Sequence, residues 1–181
     1  MLLVVGLGNP GKEYVNTRHN VGFLVADELA KALGVNFTNK RSVQALVAQT
    51  TIGETRALLV KPQTFMNASG KAVDAVVSKN QIKPDKIIVV YDDADLKFGD
   101  VRFRLSGSSA GHKGMGSIQN ALGKKVGLAR VRVGIGRPPN SDIELDKFVL
   151  GAWTSAEKNA LPEIISRSIE MIGAFAKNQS V

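Results

Sequence analysis

Two hydrophobic periods alternate along this chain, and the points where one gives way to the other mark its elements. Residues 2–5 are an uninterrupted apolar run closed by Gly6, the pattern of a buried strand. From Asn20 the period becomes helical. Val21, Leu24, Val25, Leu29, Ala32 and Leu33 share a face, and Gly34 is a stop signal. Residues 43–51 and 56–60 read as two strands around a turn at Gly53. A second helix is expected over 69–79, burying Ala72, Val73, Val76 and Val77. Residues 86–91 are another continuous apolar run, expected at the centre of a sheet. In 101–105, Val101, Phe103 and Leu105 alternate with Arg102 and Arg104. A Gly/Ser-rich loop over 106–117 precedes a short helix ending at Leu122. Over 128–135, Val131, Val133 and Ile135 are expected inward and Arg130 and Arg132 outward. Thr154 and Glu157 have capping-box spacing and open a C-terminal helical part. Strands interleaved with helices argue for one α/β domain over residues 1–181.

Composition narrows the chemistry. The chain has 181 residues and no cysteine. It is long enough to bury a core without staples. Disulfides, thiolate metal sites and a Cys nucleophile are excluded, and a reducing compartment is compatible. No apolar stretch is long enough for a membrane span, and the N-terminal run lacks the basic segment of a signal peptide. The formal net charge of +8 favours a polyanionic partner such as nucleic acid; a solvated basic surface is the alternative.

Gly6, Gly8 and Gly11 match G-x-G-x-x-G after a strand, the pattern of a dinucleotide site. That site needs the glycines to open a helix directly, so that the helix N-terminus meets the pyrophosphate. Here Pro10 and residues 12–19 intervene, and the segment after the helix ends in Asn39 and Lys40 rather than an acid. The glycines are better read as letting backbone approach a ligand or another strand.

Chemistry in open α/β sheets collects at the carboxyl ends of strands. Three such ends carry polar groups: Asn9 after the first strand, Asp92 after the strand over 86–91, and Asn67 beyond the strand over 56–60. His19, just before the first helix, and Asp92 could form a base and its orienting carboxylate, able to activate water. A cap or surface ring is the alternative for His19, and a turn or cap for Asp92. Asp93 and Asp95 read as loop acids. The amides of Asn9 and Asn67 can grip a peptide backbone or donate to an oxyanion, or serve as a turn residue and a helix cap. Phe65 and Met66 suit an apolar wall or the core. His112 is read as a ring pinning the Gly-rich loop, and two histidines without paired spacing give no metal signal.

Arg102 and Arg104 emerge on one face of their strand about 7 Å apart, close to the spacing of successive phosphates. Lys97, Lys113, Arg130, Arg132 and Arg137 could join them, and the backbone over 106–109 could offer N–H groups to phosphate. A charged edge that blocks aggregation is the alternative.

Together these motifs resemble a known family. Gly6-Leu7-Gly8-Asn9-Pro10-Gly11-x-x-Tyr14, Thr17-Arg18-His19-Asn20, Thr64-Phe65-Met66-Asn67-x-Ser69-Gly70, Asp92-x-x-Asp95-Leu96, Gly111-His112-x-Gly114 and Arg132-x-Gly134-Ile135-Gly136 are similar, in order and spacing, to the bacterial-type peptidyl-tRNA hydrolase signature. The resemblance covers nearly the whole chain. It implies a single-domain three-layer sandwich with a mixed, mainly parallel twisted sheet flanked by helices. It implies hydrolysis of the ester between an N-blocked peptide and the 3′-terminal ribose of tRNA. His19 would accept the proton from water and Asp92 would stabilise it. Asn9 would distinguish a blocked peptidyl group from a free amine, and Asn67 would orient the carbonyl. Tyr14 and Phe65, with Met66, would line the site. Arg102, Arg104 and Arg132 would hold the tRNA acceptor arm and its 5′-phosphate. No metal or organic cofactor is implied, and a cytoplasmic monomer is expected. Lys113 departs from the Asn that many members carry after the loop histidine; it is assigned to the terminal ribose-phosphate. The loop over 106–117 and residues 146–155 are candidates for a movable lid. A non-catalytic RNA-binding protein of the same fold is the alternative, as in some chloroplast splicing factors that resemble the family.

Overall fold

The computed structural model describes residues 1–123, 127–140 and 142–179. In chain order it contains β1 (Leu2–Gly6), α1 (Val21–Ala32), β2 (Thr38–Lys40), β3 (Ala45–Ile52), β4 (Thr55–Pro62), α2 (Ser69–Asn80), β5 (Ile87–Asp93), β6 (Val101–Arg104), α3 (Lys113–Leu122), β7 (Ala129–Gly134), α4 (Leu145–Val149) and α5 (Ser155–Lys177). The strands form one seven-stranded sheet in the order β2-β3-β4-β1-β5-β7-β6. The central strands β4, β1, β5 and β7 run parallel. The outer pairings, β2 with β3, β3 with β4 and β6 with β7, are antiparallel.

The apolar run of β1 is explained by its place in the middle. Leu2 and Val4 enter a core shared with α1 and α5, while Leu3 and Val5 enter a second core with α2 and α3. A strand covered on both faces cannot alternate polar with apolar residues. The three layers are thus α1 and α5, the sheet, and α2 and α3. β5 is buried along its whole length and extends through Asp92 and Asp93.

The first helix turns a slightly different face inward than the spacing predicts. Phe23, Ala26 and Ala30 are buried, whereas Leu24 is half-buried and Ala32 is exposed. The reason is close backbone approach. A Cβ on Gly22 would run into the Leu7 amide and the Val90 carbonyl, and one on Gly6 would run into the Gly22 carbonyl. Gly6 at the end of β1 and Gly22 in α1 therefore admit a helix against the strand, not another strand. The same effect moves the start of α3. The Gly/Ser loop ends at His112, because a helix carrying Gly114 can press on Met66 and Leu7 where any side chain would clash. Packing overrides the low helix propensity of glycine.

Because β1, β4, β5 and β7 are parallel, their carboxyl ends share one edge of the sheet. The polar segments following them are gathered there by topology alone.

Candidate active site

His19 sits in a short 3₁₀ turn, Arg18–Asn20, that leads into α1. The turn is buried, and its ring faces the end of β5. His19 Nδ1 lies 2.8 Å from Asp92 Oδ1 and 3.0 Å from Oδ2. The two residues read from the sequence as a candidate base and its orienting carboxylate are thus brought together across 73 positions of chain.

A second imidazole shares the carboxylate. His112 Nε2 lies 3.1 Å from Asp92 Oδ1. His112 Nδ1 accepts the Met115 amide N–H at 3.1 Å, which caps α3. A nitrogen that accepts there carries no proton in the neutral ring, so Nε2 is the donor to Asp92. The ring also packs on Tyr91 and His19, with centroids 4.7 and 5.0 Å away. His112 does pin the loop, as its position in sequence suggests, but it also belongs to the central cluster. The available signal was that the chain has only two histidines, each inside a polar motif.

Burial raises the Asp92 carboxyl and is the largest single influence. The combined charges and hydrogen bonds of His112 and His19 outweigh it and hold the group well below the ordinary carboxylate range. Asp92 is thereby kept as an acceptor for two imidazoles. His19, Asp92 and His112 offer ligand atoms within 4.8 Å of one another, a grouping that could hold a metal ion. In the hydrogen-bonded arrangement each ring nitrogen facing Asp92 is engaged by the carboxylate.

Asn9 is fixed from three directions. Its amide N–H donates to Asn20 Oδ1 and its carbonyl accepts from Asn20 Nδ2, both at 2.9 Å. Its Oδ1 accepts the Met66 N–H at 2.7 Å. That bond assigns the NH₂ end of the Asn9 amide as the one left to a ligand. Asn20 is a positioning residue that the sequence alone does not separate from its neighbours. Met66 is buried, and Asn67 follows it, exposed, on the same 3₁₀ turn rather than capping α2. Phe65 is 61% exposed and meets Tyr14 edge-on with ring centroids 6.4 Å apart. Phe65 and Tyr14 thus meet on the Asn9 side of His19, with Asn67 on the adjoining turn, and none of these four lines the cleft over His19 and Asp92. The cleft of about 110 Å³ over His19 and Asp92 is walled by the loop through Ser109 and Lys113 on one side and by Leu145 and Val149 of α4 on the other.

The basic residues divide in a way the alternation did not reveal. Arg102 and Arg104 are exposed on β6, in register with Arg132 and Arg130 of β7. Arg130, expected outward, is only 2% exposed. Its guanidinium donates to the Leu128 and Ser108 carbonyls and so holds the Gly/Ser loop from below. Asp93, expected to be a loop acid, lies in β5, is buried, and pairs with Arg132 Nε at 2.6 Å. β5 runs two residues further than its apolar run because β7 continues beside it, pairing Asp93 with Gly134. Lys113 opens α3 and pairs with Asp146 of α4 at 2.5 Å. Arg102 and Arg104 lie beyond β7 at the sheet edge and do not line the cleft.

Arg18, the residue before His19, anchors both the end of α4 and the segment after it. Arg18 is buried and makes a two-pronged contact to Glu157 at 2.8 and 3.1 Å. It also donates to the Phe148 carbonyl and lies 4.3 Å over the Phe148 ring. Glu157 in turn closes the capping box with Thr154.

Comparison with known proteins places this geometry among relatives. A sequence model described as Peptidyl-tRNA hydrolase matches residues 3–181. A peptidyl-tRNA hydrolase of Carboxydothermus hydrogenoformans is 46% identical over 95% of this chain and 90% of its own. One of Herpetosiphon aurantiacus is 47% identical over 94% of this chain and 82% of its own. The crystal structure of peptidyl-tRNA hydrolase from Acinetobacter baumannii superimposes with a TM-score of 0.91 at 31% identity, covering 99% of this chain and 90% of that one.

Proposed function

This chain belongs to the peptidyl-tRNA hydrolase family, and from that premise we propose which of its residues carry the reaction and how. The protein is an enzyme that hydrolyses peptidyl-tRNA and releases the tRNA. The family finding supports this activity and not the non-catalytic RNA-binding alternative. One observation carries the assignment of roles: the 2.8 Å contact of His19 Nδ1 with a buried Asp92, at the edge where the parallel strands end.

Asp92 accepts a hydrogen bond from the Nδ1–H of His19, which leaves Nε2 to accept a proton from water. The water oxygen attacks the ester carbonyl as Nε2 takes its proton. The tetrahedral intermediate then collapses, the C–O bond to the terminal ribose breaks, and the ribose oxygen takes the proton back from the imidazolium. Free peptide acid and free tRNA leave, and the enzyme regains its starting charge. His112 holds Asp92 from the other side. Asn67 supplies an amide donor to the carbonyl oxygen as charge develops there. Asn9 presents its NH₂ group to the peptide, an acceptor-seeking group that favours a blocked amide over a free ammonium. Tyr14 and Phe65 form the apolar wall for the terminal base and first side chains, backed by Met66, which the fold places in the core rather than at the surface of the site.

The acceptor arm lies along β6 and β7, where Arg102, Arg104 and Arg132 face its phosphates, and Lys113 serves the terminal ribose-phosphate. Residues 1–181 act as one catalytic unit, since β1, β5, α1 and α3 all contribute to the site. One copy supplies every residue named, which supports a monomer. Among the described residues no helix is long and apolar enough to cross a membrane. The substrate arises where translation runs, which supports a cytoplasmic location. The loop ending at His112 and the segment through α4 face each other across the cleft, as a lid requires.

The test is release of N-acetylated amino acid from blocked tRNA by the native protein and by His19→Ala. Release by the native protein, reduced by about 10²–10⁴-fold in the variant, is the expected result. Equal rates would remove His19 as the base.

A further inference from the structure

The mouth of the catalytic cleft carries two cation–carboxylate pairs on which the hydrolytic steps do not depend. Lys113 Nζ meets Asp146 Oδ2 at 2.5 Å, and Arg137 meets Asp95. All four residues line the same cleft as His19 and Asp92, and all four are exposed. Such pairs are held weakly, because both ends remain hydrated and screened. They exchange readily for another anion of the same geometry.

The segment bearing Asp146 is anchored unequally. The C-terminal end of α4 and the segment after it are bolted to the turn bearing His19: Arg18 grips the Phe148 carbonyl and Glu157, the Arg18 N–H donates to Gly151 O at 3.1 Å, and the Trp153 N–H to Asn16 O at 3.1 Å. Across the cleft, the N-terminal end of α4 is tied by the exposed Lys113–Asp146 pair. Freeing Asp146 therefore loosens the Leu145 end of the wall, while the Val149 end, next to the Phe148 that Arg18 grips, stays fixed.

We propose that Lys113 and Arg137 form a phosphodiester-binding site at the mouth of the cleft, distinct from the arginine face of β6 and β7, and that Asp146 and Asp95 occupy its phosphate positions in the free protein. The inference rests on the hydrolase reading above. A ribose ester that reaches His19 brings the phosphodiesters of its last nucleotides to this mouth. Phosphate and carboxylate oxygens are alternative acceptors for the same ammonium and guanidinium. Binding is then an exchange of anions: two carboxylates leave as two phosphates arrive, and the Asp146 end of α4 is released as they do. Each freed carboxylate gathers counterions while each bound phosphate sheds them, so the salt dependence of binding is shallower than the phosphate contacts alone would give.

The experiment uses the whole protein with three N-acetyl-aminoacyl esters: of full tRNA, of the trinucleotide CCA, and of adenosine, which has no phosphodiester. Lys113→Gln and Arg137→Gln are expected to raise KM for the trinucleotide ester by about 3–5-fold more than KM for the adenosine ester, the size of one exposed charge contact. Asp95→Asn with Asp146→Asn is expected to lower KM for tRNA at low salt by about 3-fold and to steepen the slope of log KM against log salt, by up to about 0.7 per carboxylate removed. A thermal melt confirms that these exposed variants fold. Equal shifts for the trinucleotide and adenosine esters, or an Asn double variant with the native KM and slope, overturn the proposal while leaving the hydrolase reading intact. Failure of the native protein to cleave any of the three esters would overturn both.

Discussion

Asp92 accepts from two imidazoles, and the consequences differ for rate and for stability. In the proposed mechanism, Asp92→Asn removes the charge that stabilises the His19 imidazolium and favours the wrong tautomer. It is expected to lower kcat by about 10²–10⁴-fold with a smaller effect on KM, measured on blocked tRNA. Asp92 and Glu157 are both held below their ordinary values of 3.8 and 4.5. A carboxyl lowered on folding stabilises the fold fully above its unfolded value, and the contribution is lost as pH falls through the lowered native value. Stability is therefore expected to fall from about pH 5 downward, and Asp92→Asn to flatten that slope, read from urea midpoints between pH 7 and 3. Equal slopes would mean that Asp92 is not the group titrating. Asn20→Ala tests positioning: it removes both bonds to the Asn9 backbone at a cost of about 1–3 kcal/mol and raises KM for blocked substrate without touching His19. Arg130, Asp93 and His112 show the limit of reading residues singly. Alternation places Arg130 on the polar face of its strand, but the Gly/Ser loop closes over that face and buries it.

At the scale of elements, the close seat of α1 on β1 aims His19 at Asp92. The Phe23 N–H donates to Leu7 O at 3.1 Å, and the Leu7 N–H to Val90 O at 2.9 Å, so strand, helix and β5 meet at one point. Gly22→Ala forces them apart. It is expected to cost about 1–3 kcal/mol or more and to lower kcat together with stability, because the turn bearing His19 moves with the helix. A variant that melts at the native temperature would show that the contact has slack. Arg18 is the comparable device for the segment after α4. Arg18→Ala strands Glu157 and is expected to destabilise by about 3 kcal/mol, checked by urea denaturation. The helices, the β3–β4 hairpin and the capping box at Thr154 were legible because each rests on local spacing. The early start of α3 was not, since Gly114 is favoured there only because Met66 and Leu7 press on it.

For the whole molecule, the acidic partners of its cations temper the excess of positive charge. Arg132, Arg102, Lys113 and Arg137 each hold a carboxylate. RNA binding must displace or share these acids, so the salt dependence of KM should report fewer released ions than the basic residues present. The chain's order of apolar and polar residues determined its α/β class, its buried central strands and the polar groups that follow them. These depend on neighbours in sequence and on the period of each element. Its motifs also named His19, Asp92, Asn9 and Asn67 as candidates. The tertiary structure decided which candidates meet. His19 and Asp92 lie 73 residues apart, and only parallel β1 and β5, side by side, carry them to one edge. It also decided that His112 joins Asp92, that Asp93 pairs with Arg132, and that Arg130 is buried. Those outcomes depend on strand order and on what covers each face, long-range quantities that no local period encodes.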